Sequence, residues 1–399
     1  MDTLNDPKSE VTGDDLIQRI TDMVPALRER QRAAEEAGRI PEETIGDLKR
    51  ADLFRAIVPK RYGGHEVDFK YIPQIFRELG RGCMSTGWTM GFLIYHNFQF
   101  GHYPVEAQDE VWGGEPGYTM AAGQVMPSGT AERVDGGFRL TGRWGYATGI
   151  LHGDYMALAA PVADSGDPAE MRRFFVPADE FKILDTWDVS AMAATGSHDV
   201  ELDGTFVPEH HSVSVSDLRN GRAPGLEVNT DPVWRVPLLT FMVYGAVGPL
   251  MGGAEAVCEL VCGVLEGKTN AYSYAPMDKQ MSTRVRMAQN QMTVEATRRL
   301  FDAGIQEVSD KVARGHEFSR EERIKARMVA CHVARTCHTV VSDMAREAGS
   351  RAIYNDSLIQ RFQRDTNALA THAIFDVDHV GDIYGGVLMG QEIPPNVML

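Results

Sequence analysis

The chain has 399 residues, is 43% hydrophobic and 24% charged, and carries a formal charge of −16. That length and composition suit a soluble enzyme of two or three domains. The acidic balance argues against nucleic acid and anionic membrane surfaces as partners, although a cleft can locally carry the opposite sign.

Met1 to Pro7 are acidic and polar, without a basic region followed by an apolar core, so no signal peptide is expected. From residue 14 to about 115 the chain reads as helices. Apolar residues recur at helical spacing after Asp15, and Pro41 stands in the first turn of a second helix. Val58, Pro59, Gly63 and Gly64 break the pattern. Two more helices follow, around Tyr71 to Leu79 and Thr86 to Phe100.

From Tyr118 the texture changes to short alternating runs. Asp135-Gly136 between Val134 and Phe138 predicts a hairpin, and further strands are expected at Tyr155 to Ala160, Arg173 to Val176 and Asp199 to Val207. Arg219 to Pro232 reads as an exposed linker or lid. Val236 to Val257 is long and nearly uncharged, yet it holds several glycines, two prolines and Glu255. A buried helix of a bundle explains it better than a membrane span. Met281 to Val312 and Arg320 to Gly349 predict long amphipathic helices of a bundle. The expected division is a helical domain over 1–117, a β domain over 118–218 and a helical bundle over 219–399, an α+β architecture.

The five cysteines, Cys83, Cys258, Cys262, Cys331 and Cys337, follow no short-spaced framework, which suggests reduced thiols in a cytoplasm. Cys258 and Cys262 share a helix face without an accompanying zinc-spaced pair, so no metal is expected. Two histidines stand in apolar surroundings. His372 reads as part of a helical pattern with Leu369, Ala373 and Ile374, close to a glycine turn at Tyr384, Gly385 and Gly386. Asp376 is expected on the same helix face. His96 lies among Phe92, Leu93, Ile94 and Phe98. Each is either a core residue joining helices or a proton donor or acceptor tuned near neutral pH.

Several motifs in order resemble the acyl-CoA dehydrogenase superfamily. Arg39-Ile40-Pro41-Glu42 with Val58-Pro59 through Gly63-Gly64 looks like its N-terminal signature. Gly142 through Gly149 looks like its flavin-contacting strand, and Thr195-Gly196-Ser197 with Asp199 like the strand that closes its β domain. Within the superfamily the chain is similar to the flavin-dependent monooxygenases. Ser85-Thr86-Gly87-Trp88 followed by His96, Trp144 with Thr148-Gly149, and Arg364-Asp365 with His372 carry that likeness. Thr148 stands where many relatives have serine, and no acid occupies the glycine turn where many dehydrogenases carry their base.

The resemblance implies an N-terminal helical domain, a small central β-barrel or sandwich and a C-terminal four-helix bundle. It implies the oxygenase component of a two-component system. Such a protein takes reduced FMN or FAD from a separate reductase and uses O2, through a C4a-hydroperoxyflavin, to hydroxylate a small aromatic substrate. It further implies a homotetramer. In that reading His372, His96 and Thr148 are catalytic, Tyr146, Ala147, Thr148 and Ser197 line the flavin, and Arg284 at a helix start meets its phosphate. The competing readings are a dehydrogenase with an unusual base, an N- or S-oxygenating relative and a flavin-free member of the fold.

Overall fold

The computed structural model describes residues 11–124, 126, 128–163, 165–167, 170–395 and 397–399. The N-terminal heptapeptide read for a signal lies outside them. Five helices open the chain: α1 Gly13–Ala37, α2 Glu42–Arg50, α3 Tyr71–Gly82, α4 Met84–Phe100 and α5 Val105–Trp112. Thr12 and Asp15 form a capping box at the start of α1, and Gly38 in the left-handed region ends it. Pro41 is the cap residue before α2, one position ahead of the first-turn site expected for it.

Eight strands follow: β1 Ala121–Gly123, β2 Thr130–Val134, β3 Gly137–Trp144, β4 Tyr155–Ala163, β5 Met171–Pro177, β6 Lys182–Leu184, β7 Asp199–Pro208 and β8 Ser212–Ser214. Val134 pairs with Gly137, so Asp135 and Gly136 are the hairpin turn, with Gly136 at φ 76°. The sheet runs β6-β7-β3-β2-β4-β5-β8, with β1 beside β4. β6 and β8 are its edges and do not pair with each other. Glu110 of α5 ties the helices to the sheet. Its two oxygens meet Nε2 of His210 at 2.9 Å and Nε2 of His211 at 2.6 Å.

After α6 Val215–Arg219, the C-terminal helices are α7 Leu238–Leu265, α8 Met281–Ala313, α9 Arg320–Ala348, α10 Leu358–Ala370 and α11 Val377–Leu388. α7, α8, α9 and α10 make the four-helix bundle, and α11 lies along α9. α7 is long and apolar enough to cross a membrane by length and composition. Here its sides are covered by α3, α4 and α9. Its one central charge, Glu255, approaches the Arg77 guanidinium at 3.7 Å, which makes a charge tolerable at that depth.

The segment from Arg219 to Pro232 is not a free lid. Asn229 donates from Nδ2 to the Gly101 carbonyl at 2.6 Å, and a Cβ on Gly225 would meet that same carbonyl oxygen at 2.2 Å. Most of the segment is exposed, as its turn residues suggested, while Ala223, Gly225, Leu226 and Asn229 are buried and pin it to the end of α4.

Candidate functional site

α4 organises the site, because one of its faces passes under three separate segments. Trp88, Phe92 and His96 recur at helical spacing along it. The His372 ring stands edge-on to Trp88 at 5.3 Å, Trp88 meets Phe92 at 4.9 Å, and Phe92 meets His96 at 6.2 Å. Gly149 lies over Thr89 and Leu93, where an added Cβ would be 2.9 Å from the Thr89 methyl. His372, the Thr148–Gly149 turn and His96 therefore share one helix face. They do not touch one another.

His372 is not inside a helix. α10 ends at Ala370, and His372 caps the short turn Ala373–Phe375, its Nδ1 accepting from the Ile374 N–H at 3.2 Å. Leu369, Ala373 and Ile374 continued the apolar period, which hid the break. Asp376 does not share a face with His372; it caps α11 and accepts from the His379 N–H at 2.9 Å. The expected glycine turn at Tyr384, Gly385 and Gly386 is the C-terminal half of α11. His372 is an exposed residue whose ring packs on one side against Trp88. Desolvation lowers its pKa, favouring neutral imidazole. With Nδ1 used as an acceptor, the proton resides on Nε2, so His372 offers a donor.

His96 has the opposite polarity. It is fully buried, and its Nδ1–H donates to the Ala121 carbonyl at 2.6 Å. Burial pushes its pKa down to about 3, with the Arg173 charge adding to the effect. The neutral ring keeps a lone pair on Nε2, which has no partner and faces Gly123, where a Cβ would come within 2.3 Å.

Tyr146, Ala147 and Thr148 lie in the turn after β3, not in a strand. Gly145 to Thr148 leave the sheet because Tyr146 takes φ 62°, a left-handed conformation. Its side chain is 69% exposed and stands edge-on to Trp187 at 5.9 Å. Ala147 is buried, and its N–H donates to the His198 carbonyl at 3.0 Å. Thr148 and Ser197 are brought together, hydroxyl to hydroxyl at 3.0 Å, and Ser197 continues to Thr195 at 2.7 Å. Thr195 then donates to the Met192 carbonyl at 2.9 Å. Trp144 is buried core, its indole N–H donating to the Ala159 carbonyl.

Asp365 and Arg364 dock α10 onto this loop. Asp365 accepts the Met192 N–H at 2.7 Å, Arg364 donates to the Ser190 carbonyl, and its other amino group meets Glu35 at 2.6 Å. The hydroxyl chain is thus held from the bundle side. Arg284 is not brought to it. It is exposed in the first turn of α8, which packs chiefly on α9 and α7, while Arg286 is engaged by Glu347.

A cavity of 280 Å³ lies between Tyr95 and Gln99 of α4, Arg173 of β5, Leu239 and Met242 of α7, and Arg323 of α9; His96 is not part of its lining. Met242 also lines the narrow groove that reaches Trp88 and Phe92. Gln124 links cavity and turn: its carbonyl accepts from Arg173 at 2.9 Å, and its amide donates to the Gly145 carbonyl. Sequence reasoning passed over Arg173 and Gln124. The available signal was a charge at Arg173 within a strand pattern, directly before the apolar run Phe174 to Val176.

The residues fit a flavin ring. Tyr146, Trp187 and Trp88 supply aromatic surface, Thr148 and Ser197 supply hydroxyls, and His372 presents a donor at an open edge. Fold and site together describe a flavin-binding helical–β–helical enzyme. The sequence profile of the acyl-CoA dehydrogenase N-terminal domain matches residues 19–112, and that of its C-terminal domain matches residues 244–377. These stretches span more than half of the 399 residues, and the chain belongs to the acyl-CoA dehydrogenase superfamily.

Among its relatives, a pigment production hydroxylase of a Rhodococcus species is 29% identical, aligned over 94% of this chain and 96% of its own. The oxygenase subunit HsaA, a flavin-dependent monooxygenase of Rhodococcus jostii, is 28% identical over 92% of this chain and 97% of its own. The structure of XiaF from Streptomyces, in complex with FADH2 and glycerol, superposes with a TM-score of 0.89 at 26% identity, covering 97% of this chain and 98% of that one.

Proposed function

We propose that the protein is the oxygenase component of a two-component flavin-dependent monooxygenase that hydroxylates an aromatic, phenol-like substrate. The likeness to flavin-dependent hydroxylases over nearly the whole chain supports the class. The observation that carries the chemistry is the pair of neutral histidines of opposite polarity flanking a turn with two linked hydroxyls. Bound reduced flavin, FMN or FAD, supplies the oxygen-activating chemistry. The chain's residues orient the ring, keep water out and hold protons.

Nε2–H of His372 serves as the donor at the open edge. The Thr148 and Ser197 hydroxyls serve as the polar contacts within the turn, with Tyr146 and Ala147 shaping it. The free Nε2 of His96 serves as the acceptor on the far side of Phe92, suited to drawing on a substrate hydroxyl. A separate reductase supplies the reduced flavin. Arg284 remains a phosphate ligand by proposal only. We place the protein in the cytoplasm, a reading that its five unpaired cysteines support. We further propose a homotetramer, supported by the exposed apolar stripe on α8 described below.

Anaerobic titration with reduced and oxidised FMN and FAD, followed by oxygen and a panel of phenols, tests the reading. Tighter binding of the reduced form and a hydroxylated product are expected. Absence of both refutes the assignment.

A further inference from the structure

Arg173 is a buried charge without a counter-charge among the described residues. It lies in β5, on the opposite face from Phe174 and Val176, and the residue is 4% exposed. Nε donates to the Gln99 side-chain oxygen at 2.9 Å and Nη1 to the Gln124 carbonyl at 2.9 Å, both neutral acceptors. Nη2 has no partner, and no carboxylate pairs with the guanidinium among the described residues. Burying an ion without an opposite charge is strongly unfavourable, and such a group persists where something offsets it. The tyrosines that approach it, Tyr95 and Tyr103, are neutral, with pKa values raised by burial.

The same guanidinium lines the 280 Å³ cavity, whose wall also holds Arg219 and Arg323 and, among the described residues, no aspartate or glutamate side chain; Leu399, the last residue of the chain, lies in the same wall. Three arginines face one space in a chain of net charge −16. The rest of the wall is largely apolar, including Met171, Leu218 and Met242. The volume lies just below the roughly 300–1,000 Å³ typical of small-ligand sites.

We propose that this cavity takes an aromatic substrate bearing an anionic group of carboxylate size, and that Arg173 pairs with that group. The inference rests on the oxygenase reading and narrows its substrate class. An apolar body would fill the wall of α7 and β5 while the planar fork of Arg173 holds the anion. The bond from Arg173 to the Gln124 carbonyl places the anion on the same support as the Gly145–Thr148 turn. Substrate charge would thereby fix how far the ring reaches towards His96.

The test uses flavin-free protein and two probe pairs, hydroxycinnamate and hydroxynaphthoate, each against its primary amide. The expected result is that each acid binds about tenfold to a hundredfold more tightly than its amide, the range of a hydrogen bond to a charged group. Arg173→Met should erase that preference and leave amide binding within about threefold. Arg173→Lys, which keeps the charge and loses the fork, should retain part of it and decides the matter should the methionine variant not fold. Equal binding of acid and amide by the natural protein overturns the proposal, as does a preference that survives in Arg173→Met. Reduced-flavin affinity is measured on the same samples. Its absence beside an intact, Arg173-dependent preference sinks the oxygenase reading and leaves the anion site standing.

Discussion

At the residue scale, the two candidate histidines differ in what holds them. His372 is held by one backbone N–H, so a side chain that caps equally well can replace its structural role. Asparagine is such a side chain. His372→Asn should therefore leave the thermal midpoint nearly unchanged while removing the Nε2–H donor. Product formation should fall on the order of a hundredfold, the lower end for loss of a general acid–base group, with oxygen diverted to hydrogen peroxide. Coupling of oxygen uptake to product, measured by paired oxygen-electrode and chromatographic assays, checks this. Unaltered coupling removes His372 from the chemistry.

Asp365 gives a pH signature. Burial raises its carboxyl from 3.8 to about 6, against the lowering effect of the Met192 N–H and the two nearby arginines. The folded-state value lies above the unfolded one, so the folded protein binds this proton more tightly. The resulting stability is fully present below about pH 4 and lost as pH rises through 6. Two pKa units correspond to about 3 kcal/mol. Asp365→Asn keeps an acceptor for Met192 and carries no charge. Its thermal midpoint relative to the natural protein should therefore be higher at pH 8 than at pH 5. An equal difference at both pH values contradicts the argument. Sequence reasoning noticed Arg364-Asp365 only as a pattern. Its physical role, pinning the loop of Met192 and Thr195, depends on a loop more than 170 residues earlier in the chain. Spacing along the chain carries no information about such a contact.

At the element scale, the crossing of α3 and α7 is the tightest joint near the site, because backbone meets backbone there. A Cβ on Gly252 would lie 1.9 Å from the Arg77 carbonyl oxygen, one on Gly248 2.6 Å from that of Pro73, and one on Gly80 2.4 Å from Pro249 Cα. Backbone atoms cannot rotate away as a side chain can. Gly252→Ala should cost about 1–3 kcal/mol or more, read as a lowered midpoint in denaturant unfolding. Gly263→Ala lies on the same helix with nothing within 4 Å of its added carbon. It should be neutral or stabilising by up to about 1 kcal/mol. If both variants behave alike, close approach is not what the glycines serve.

Legibility follows the same logic of local versus distant causes. α4, α8, α9 and the β2–β3 hairpin were readable because period and turn chemistry act over a few residues. The α10–α11 joint was misread because the apolar period runs across the break at Thr371. The Tyr146 turn was misread as a strand because nothing in Gly145-Tyr146-Ala147 announces a positive φ at tyrosine. His372, His96 and Thr148 became candidates through family motifs, and their roles stay a proposal. The unpaired charge of Arg173 needed the fold, since only the fold reveals that no acid among the described residues pairs with it.

At the scale of the whole molecule, α8 leaves an apolar stripe uncovered. Met281, Val285 and Met292 are 75%, 48% and 58% exposed, and their spacing of four and seven residues places them on one face. Side chains of this kind in a row on a long helix mark a surface that another protein covers. A second copy of the chain is the occupant consistent with the proposed tetramer. Light scattering should then return four times the 44.1 kDa of one chain. The double variant Val285→Glu with Met292→Glu places two carboxylates in the contact. Burying them unpaired costs several kcal/mol each, so the mass should fall to that of a dimer or monomer while helix content stays. A natural protein that is monomeric at micromolar concentration ends the tetramer reading. A double variant that remains tetrameric moves the interface away from α8.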